Sequence, residues 1–154
     1  MNPIVTLMGS EMMVNARFWL EVGTYRYALF QECSGLSLQT DSFEYNEGGL
    51  NSYTHKLPVR TKVGNVTVKR ALVVHDGLWK WYEDVVSGNI NRRSIIISAT
   101  DNKVDSLGRP KVIFVLDDAL PIKWTGPAFK ASESAIAVES IEFVTRGFKR
   151  IDLG

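Results

Sequence analysis

The sequence predicts a mainly β domain, a barrel or sandwich carrying one helix, and three observations lead there. Short segments alternate apolar and polar residues, turn-forming residues punctuate them, and a single stretch repeats its apolar residues at helical spacing. With 154 residues, 45% hydrophobic and 23% charged, the chain matches one ordinary globular domain. It is long enough to bury a sizeable core with no metal or disulfide staple.

Taken in order, residues 1–14 mix Pro3 and Gly9 with several methionines and show no period, so they read as an N-terminal arm ahead of a single domain at 15–154. Arg17–Val22 alternates, with Phe18, Leu20 and Val22 on one face, and Gly23-Thr24 turns it into a second alternating strand, Tyr25–Phe30. Leu36 to Tyr45 and Asn51 to Arg60 form a long hairpin, about 36–60, joined by Asn46-Glu47-Gly48-Gly49. One arm carries Gln39, Thr40, Asp41, Ser42 and Glu44, too polar on both faces for a monomer's own core to explain. Val63 to Arg70 follows, Val66 and Val68 alternating against Asn65, Thr67 and Lys69.

The helix is expected at about 76–87. Asp76 suits the N-cap, Leu78, Trp79, Trp81, Tyr82, Val85 and Val86 recur at helical spacing, and Gly88 suits the C′ position. Trp79 and Trp81 are expected in or near the core. Arg93–Thr100 and Lys111–Leu116 read as a strand pair, Asp117–Pro127 carries two prolines, and Ala135–Arg146 closes the domain as a long strand.

Composition narrows the function classes. Lys plus Arg number 18 against 17 for Asp plus Glu, a net charge of +1, so bulk charge gives no support for a nucleic-acid or anionic-membrane partner. Cys33 is the only cysteine, which excludes an internal disulfide and any CxxC pair. No apolar run approaches the roughly 20 residues that span a bilayer, and Met1 to Ala16 has no Lys or Arg, so neither a membrane anchor nor a signal peptide is expected.

No catalytic constellation assembles. His55 and His75 belong to no HExxH or other metal pattern, and neither GxGxxG nor GxxxxGK[ST] occurs. Asp101, Asp105, Asp117 and Asp118 fit no Ca²⁺ loop and read as turn formers. Cys33 beside Ser34-Gly35 reads as a small buried hydrophobe, the competing role being a nucleophile paired with a histidine. Neither a cofactor nor a metal is implied.

Charge order is the informative oddity. Gln31–Thr54 holds Glu32, Asp41, Glu44 and Glu47 with no base, and His55–Arg70 holds Lys56, Arg60, Lys62, Lys69 and Arg70 with no acid. Two arms of one hairpin would pair these charges across strands, each pair contributing well under ~1 kcal/mol. Complementary surfaces for self-assembly would use them to set register between copies.

Several stretches together resemble the tail-tube family, the inner-tube proteins of contractile phage tails and extracellular contractile injection systems. They are Glu32-Cys33-Ser34-Gly35-Leu36, Glu44-Tyr45-Asn46-Glu47-Gly48-Gly49-Leu50-Asn51, His55-Lys56-Leu57-Pro58 and Asn65-Val66-Thr67-Val68-Lys69-Arg70. Leu78-Trp79-Trp81, Pro121-Ile122-Lys123-Trp124-Thr125-Gly126-Pro127 and Ala137-Val138-Glu139-Ser140-Ile141-Glu142 follow in the same order. The resemblance runs from about Phe18 to about Gly147 and extends, at greater distance, to the secreted ring protein of type VI secretion. Where family members often carry glycine after the Leu-Pro and Lys-Arg pairs, this chain has Val59 and Ala71.

The resemblance implies a β-barrel-like protomer with a flanking helix, assembled as hexameric rings that stack into a hollow tube driven through a target envelope by sheath contraction. Its implied partners are further copies of itself, a contractile sheath, baseplate or tube-initiator proteins, a terminator cap and a lumenal cargo of tape measure, effector or DNA. Assembly is expected in the cytoplasm, within a phage tail or an injection particle that is in some systems released. The hairpin would extend the lumenal barrel and touch the next ring, with Glu44, Glu47, Lys56, Arg60 and Lys62 as contacts and Gly48 and Gly49 giving the tip backbone freedom. No active site is implied. From the residues alone, a monomeric small-molecule-binding β-barrel and a hydrolase using Cys33 are the alternatives.

Overall fold

The computed structural model describes residues 17–27, 30–49, 52–74, 76–100 and 109–153; the arm at 1–14 and His75 lie outside them. In chain order the elements are β1 (Arg17–Val22), β2 (Tyr25–Tyr27), β3 (Phe30–Ser34), β4 (Leu38–Tyr45), β5 (His55–Val63), β6 (Val66–Ala71), α1 (Gly77–Val86), β7 (Arg93–Thr100), β8 (Val112–Thr125), β9 (Val138–Val144) and β10 (Gly147–Asp152).

Two long antiparallel ribbons, each broken once, account for most of this. In the first, β3 pairs with β6 and β4 with β5, and the register carries through: Ser34 faces Thr67 and, further out, Leu38 faces Val63. The break falls where the two chains touch backbone to backbone. A Cβ on Gly35 (φ +86°) would lie 1.9 Å from the Asn65 carbonyl oxygen, and one on Gly64 would lie 2.2 Å from Ser37 Oγ. Only glycine fits such a crossing. In the second ribbon, β8 pairs with β9 and then β10, again in one register, Leu120 facing Val144 and Asp117 facing Gly147. Its break is at Asp118, in the left-handed region at φ 48°, where Thr145 Oγ1 and the Arg146 N–H both donate to the Asp117 carbonyl.

The strands join in the order β2-β1-β7-β8-β9-β6-β3, with β10 on β8. The two ends of this sheet approach one another through side chains: Phe18 of β1 stacks on Phe30 of β3 at 6.1 Å. The result is an open sandwich rather than a hydrogen-bonded barrel, with Leu20, Val22, Val66, Val68, Ile95, Ile97, Leu116, Ile141 and Phe143 buried between its halves. Each such side chain contributes about 1.5–3 kcal/mol by leaving water.

Helix α1 closes one flank. Asp76 caps it by accepting from the Trp79 N–H, and Leu78 and Trp81 turn inward. Trp81 packs on Phe143 and donates from Nε1 to the Asn91 carbonyl at 2.7 Å. Trp79, expected in or near the core, instead lies partly exposed against Trp124. No helix of the described residues is long and apolar enough to cross a membrane.

The structure redraws several boundaries. Tyr25–Phe30 is not one strand: β2 ends at Tyr27, and Phe30 opens β3. The second hairpin arm starts at His55 rather than Asn51 and runs to Val63, so β6 begins only after the Gly64-Asn65 turn. β8 continues through Pro121 because β7 stops pairing at Ala119, leaving β8 with one neighbour where proline cannot donate. A tenth strand follows β9, where one long closing strand was expected.

Candidate assembly surface

Hairpin β4–β5 is a two-stranded sheet of its own, with no third strand beside it among the described residues. Nearly every side chain on it is exposed. All seven residues expected to act, Glu44, Glu47, Gly48, Gly49, Lys56, Arg60 and Lys62, fall on this hairpin or its loop.

The charges pair across the strands. Lys62 Nζ lies 2.8 Å from Asp41, Lys56 Nζ lies 3.7 Å from Glu44, and His55 Nε2 lies 3.5 Å from Glu47, a true ion pair only when the imidazole is protonated. Arg60 faces Asp41 in the ladder but makes no ion pair among the described residues. Thr40 and Thr61 share a hydrogen bond of 2.9 Å. Such exposed contacts hold register more than they add stability. At the tip, the left-handed backbone falls on Gly49 alone of the two glycines, at φ +96°.

A one-residue bulge at Val59 sorts the faces: Asp41 pairs with Arg60, but the next residue, Ser42, pairs with Pro58. Val59 takes no left-handed angle, so this bulge forms without the glycine often found there. Beyond it, Glu44 and Lys56 share one face, while Phe43 and Leu57, then Tyr45 and His55, share the other. Phe43, Tyr45 and Leu57 are all more than half exposed. Attention to charge missed this apolar face; its signal was the Phe43-x-Tyr45 spacing.

A second feature lies beside α1. Arg70, counted in the sequence among the bases of a charged run, is buried; it falls on the face of β6 that carries Val66 and Val68. Its Nε donates to Glu139 at 2.7 Å, its guanidinium also bonds Asp76, and Trp124 Nε1 donates to the other oxygen of Glu139 at 3.0 Å. Burial works against the guanidinium's charge, but the bonds and charge of Asp76, then of Glu139, outweigh it and raise the Arg70 pKa. Next to this cluster a solvent-open groove of about 580 Å³ is lined by Leu72, Val73, Trp79, Lys80 and Trp124, with Asp76 and Glu139 among its walls.

Cys33 faces Val68 across β3–β6, and burial, with Glu32 second, pushes its thiol up to about 11. Such a thiol is almost wholly protonated near neutrality and is a poor nucleophile. Among the described residues no group of three His, Cys, Asp or Glu could hold a metal ion.

Residues 14–149 match the family of the T4-like virus tail tube protein gp19, and the chain belongs to that family. No curated protein matches it. Among solved structures, a chain of the PVC sheath-tube complex, an extracellular contractile injection system in its extended state, superposes with a TM-score of 0.80 at 22% identity, over 99% of this chain and 100% of that one. A chain of the PVC sheath/tube terminator gives 0.78 at 24% identity, over 93% and 99%. Hcp1 from Flavobacterium johnsoniae gives 0.53 at 15% identity, over 88% and 98%. At these identities the likeness is one of fold.

Proposed function

We propose that this chain is the inner-tube subunit of a contractile phage-tail-like injection system, forming hexameric rings that stack into a hollow tube which sheath contraction drives through a target envelope. The observation that carries the reading is hairpin β4–β5 in a member of the tail-tube family. Both its edges lack strand partners among the described residues, and it exposes Phe43, Tyr45, Leu57 and Val59. Strand edges left open in a β protein invite pairing with further copies, and joining copies into one larger barrel removes them.

The role asks for many modest contacts repeated along a tube and for no reacting group. Glu44, Glu47, Lys56, Arg60 and Lys62, with Gly48 and Gly49 at the tip, would contribute to contacts between protomers or rings. The partners would be a sheath outside, a baseplate or initiator at one end, a terminator cap at the other, and cargo in the lumen. Support comes from the settings of the fold neighbours, which include sheath-tube, terminator and baseplate assemblies. Assembly would take place in the cytoplasm, with the particle retained or released.

Negative-stain electron microscopy of the concentrated protein, with its solution mass, tests this. Six-fold rings or stacked tubes with a central hole are expected. A chain that stays monomeric with sheath and baseplate proteins present would refute the reading.

A further inference from the structure

The hairpin's apolar face and the groove beside α1 sit at opposite ends of the first ribbon. From Tyr45, the last paired residue of β4 before the loop, the ladder runs back through the glycine crossing to Phe30 and Arg70, roughly 50 Å of contour at ~3.3 Å per residue. The chain leaves β6 there to form Leu72 and Val73, one side of the groove. One copy therefore carries a protruding apolar ridge at one end of the ribbon and an apolar recess at the other.

The recess is ready for apolar contact. Its buried polar groups are engaged internally: Asp76 with Arg70 and the Trp79 N–H, Glu139 with Arg70 and Trp124. What remains for a partner is the tilted pair of Trp79 and Trp124, 4.6 Å apart, together with Leu72 and Val73. At the rim stands Lys80, exposed and without an ion pair among the described residues. The ridge offers the complement. Phe43, Tyr45 and Leu57 are its apolar members, and Glu47 stands beside them with His55 at 3.5 Å as its one ion-pair partner among the described residues. The Glu47 carboxylate is more than half exposed and open to a second cation.

We infer that the groove beside α1 receives the hairpin of a second copy, with Phe43 and Leu57 against Trp79, Trp124 and Leu72, and Glu47 beside Lys80. The inference rests on the tube reading and names the surface that meets the hairpin within it. Because ridge and recess are different patches on one molecule, the contact is head to tail, and repeating it builds an open stack rather than a closed pair. Aromatic anchors seated in a pocket supply most of such an interface's affinity, and an opposed charge pair fixes register.

A charge swap tests it on residues that are exposed in the folded chain. Glu47→Lys and Lys80→Glu should each lower the fraction of protein in pelleted tubes at least about tenfold, as a loss near 1.4 kcal/mol per contact would do. The double variant should restore it, and all three should melt with the wild type. As a second readout, Leu57→Cys with Leu72→Cys in a Cys33→Ser background should give a ladder of disulfide-linked oligomers under oxidation. Single variants that assemble normally, or a double variant that stays defective with no ladder, would overturn the groove while leaving the tube reading intact. A wild-type chain that forms neither rings nor tubes even with baseplate proteins would overturn both.

Discussion

The two halves of the first ribbon share one register and opposite fates. On β6, Val66 and Val68 are 0% and 1% exposed; on β5, Leu57 and Val59 are 55% and 68% exposed. Both are regular antiparallel ladders, so backbone pairing does not distinguish them. What differs is what surrounds the side chains: Val66 and Val68 lie within the buried core of the sandwich, and nothing among the described residues covers β5. Strict alternation marks a strand whose covering layer is in its own chain. The blurred pattern of β4 and β5 goes with a hairpin that has no covering layer among the described residues, and on the tube reading proposed above that layer is another copy.

The largest effect expected from attacking the buried half is Arg70→Ala. It leaves Asp76 and Glu139 without their cation in a nearly dry place and should cost about 3–5 kcal/mol, read by chemical denaturation. A loss under 1 kcal/mol would mean that water reaches the cluster. Gly35→Ala comes next. The left-handed angle alone costs about 1–3 kcal/mol in a non-glycine residue, before the clash with Asn65 is counted. Gly48→Ala, where an added Cβ meets nothing within 4 Å, should stay within about 0.5 kcal/mol of wild type.

The sharpest separation of the halves is Leu57→Asp. Monomer stability should change by no more than about 0.5 kcal/mol while assembly is lost, as thermal melts and electron micrographs would report together. Lys62→Ala should cost under ~1 kcal/mol, and less as salt is raised, because its 2.8 Å pair with Asp41 stands in water.

Cys33 gives a probe with almost no stability effect near neutrality. A thiol raised from 9.0 to about 11 holds far less thiolate at pH 8, so alkylation by iodoacetamide should run about 100-fold slower in the folded protein than in urea. The sign follows from proton binding. Between pH 9 and 11 the folded chain keeps a proton that the unfolded chain releases, so stability falls as pH rises through that window. Equal alkylation rates in both states would place Cys33 in water.

Much of this was legible in the residues. Periodicity located β1, β6, β7 and α1 because each covers or is covered by its own chain, and Asp76 announced the helix start through its capping chemistry. Pro121 concealed the length of β8, since the strand's one-sided pairing there is a tertiary fact. Gly147–Asp152 carries no clean alternation and pairs along β8 alone, so β10 was missed. Of the candidate assembly surface, strand patterning and the Asn46-Glu47-Gly48-Gly49 turn located the hairpin, and charge order singled it out. The apolar face stayed hidden, since it depends on a bulge that no local pattern predicts, and so did the groove, whose walls come from β6's exit, α1 and β8.

The bulge at Val59 also bears on where the hairpin points. The hairpin is an exposed appendage, a place where insertions ordinarily do little harm to folding. Losing the one extra residue would not unpair anything: Asp41 would still face Arg60 and Ser42 would still face Pro58, with Phe43–Leu57 and Glu44–Lys56 beyond them. What would go is the local bend and extra twist of the bulged strand, so the domain would fold with its pairs intact and its hairpin tip aimed elsewhere. The length of β5 at this point therefore sets where the hairpin points rather than which of its residues face one another.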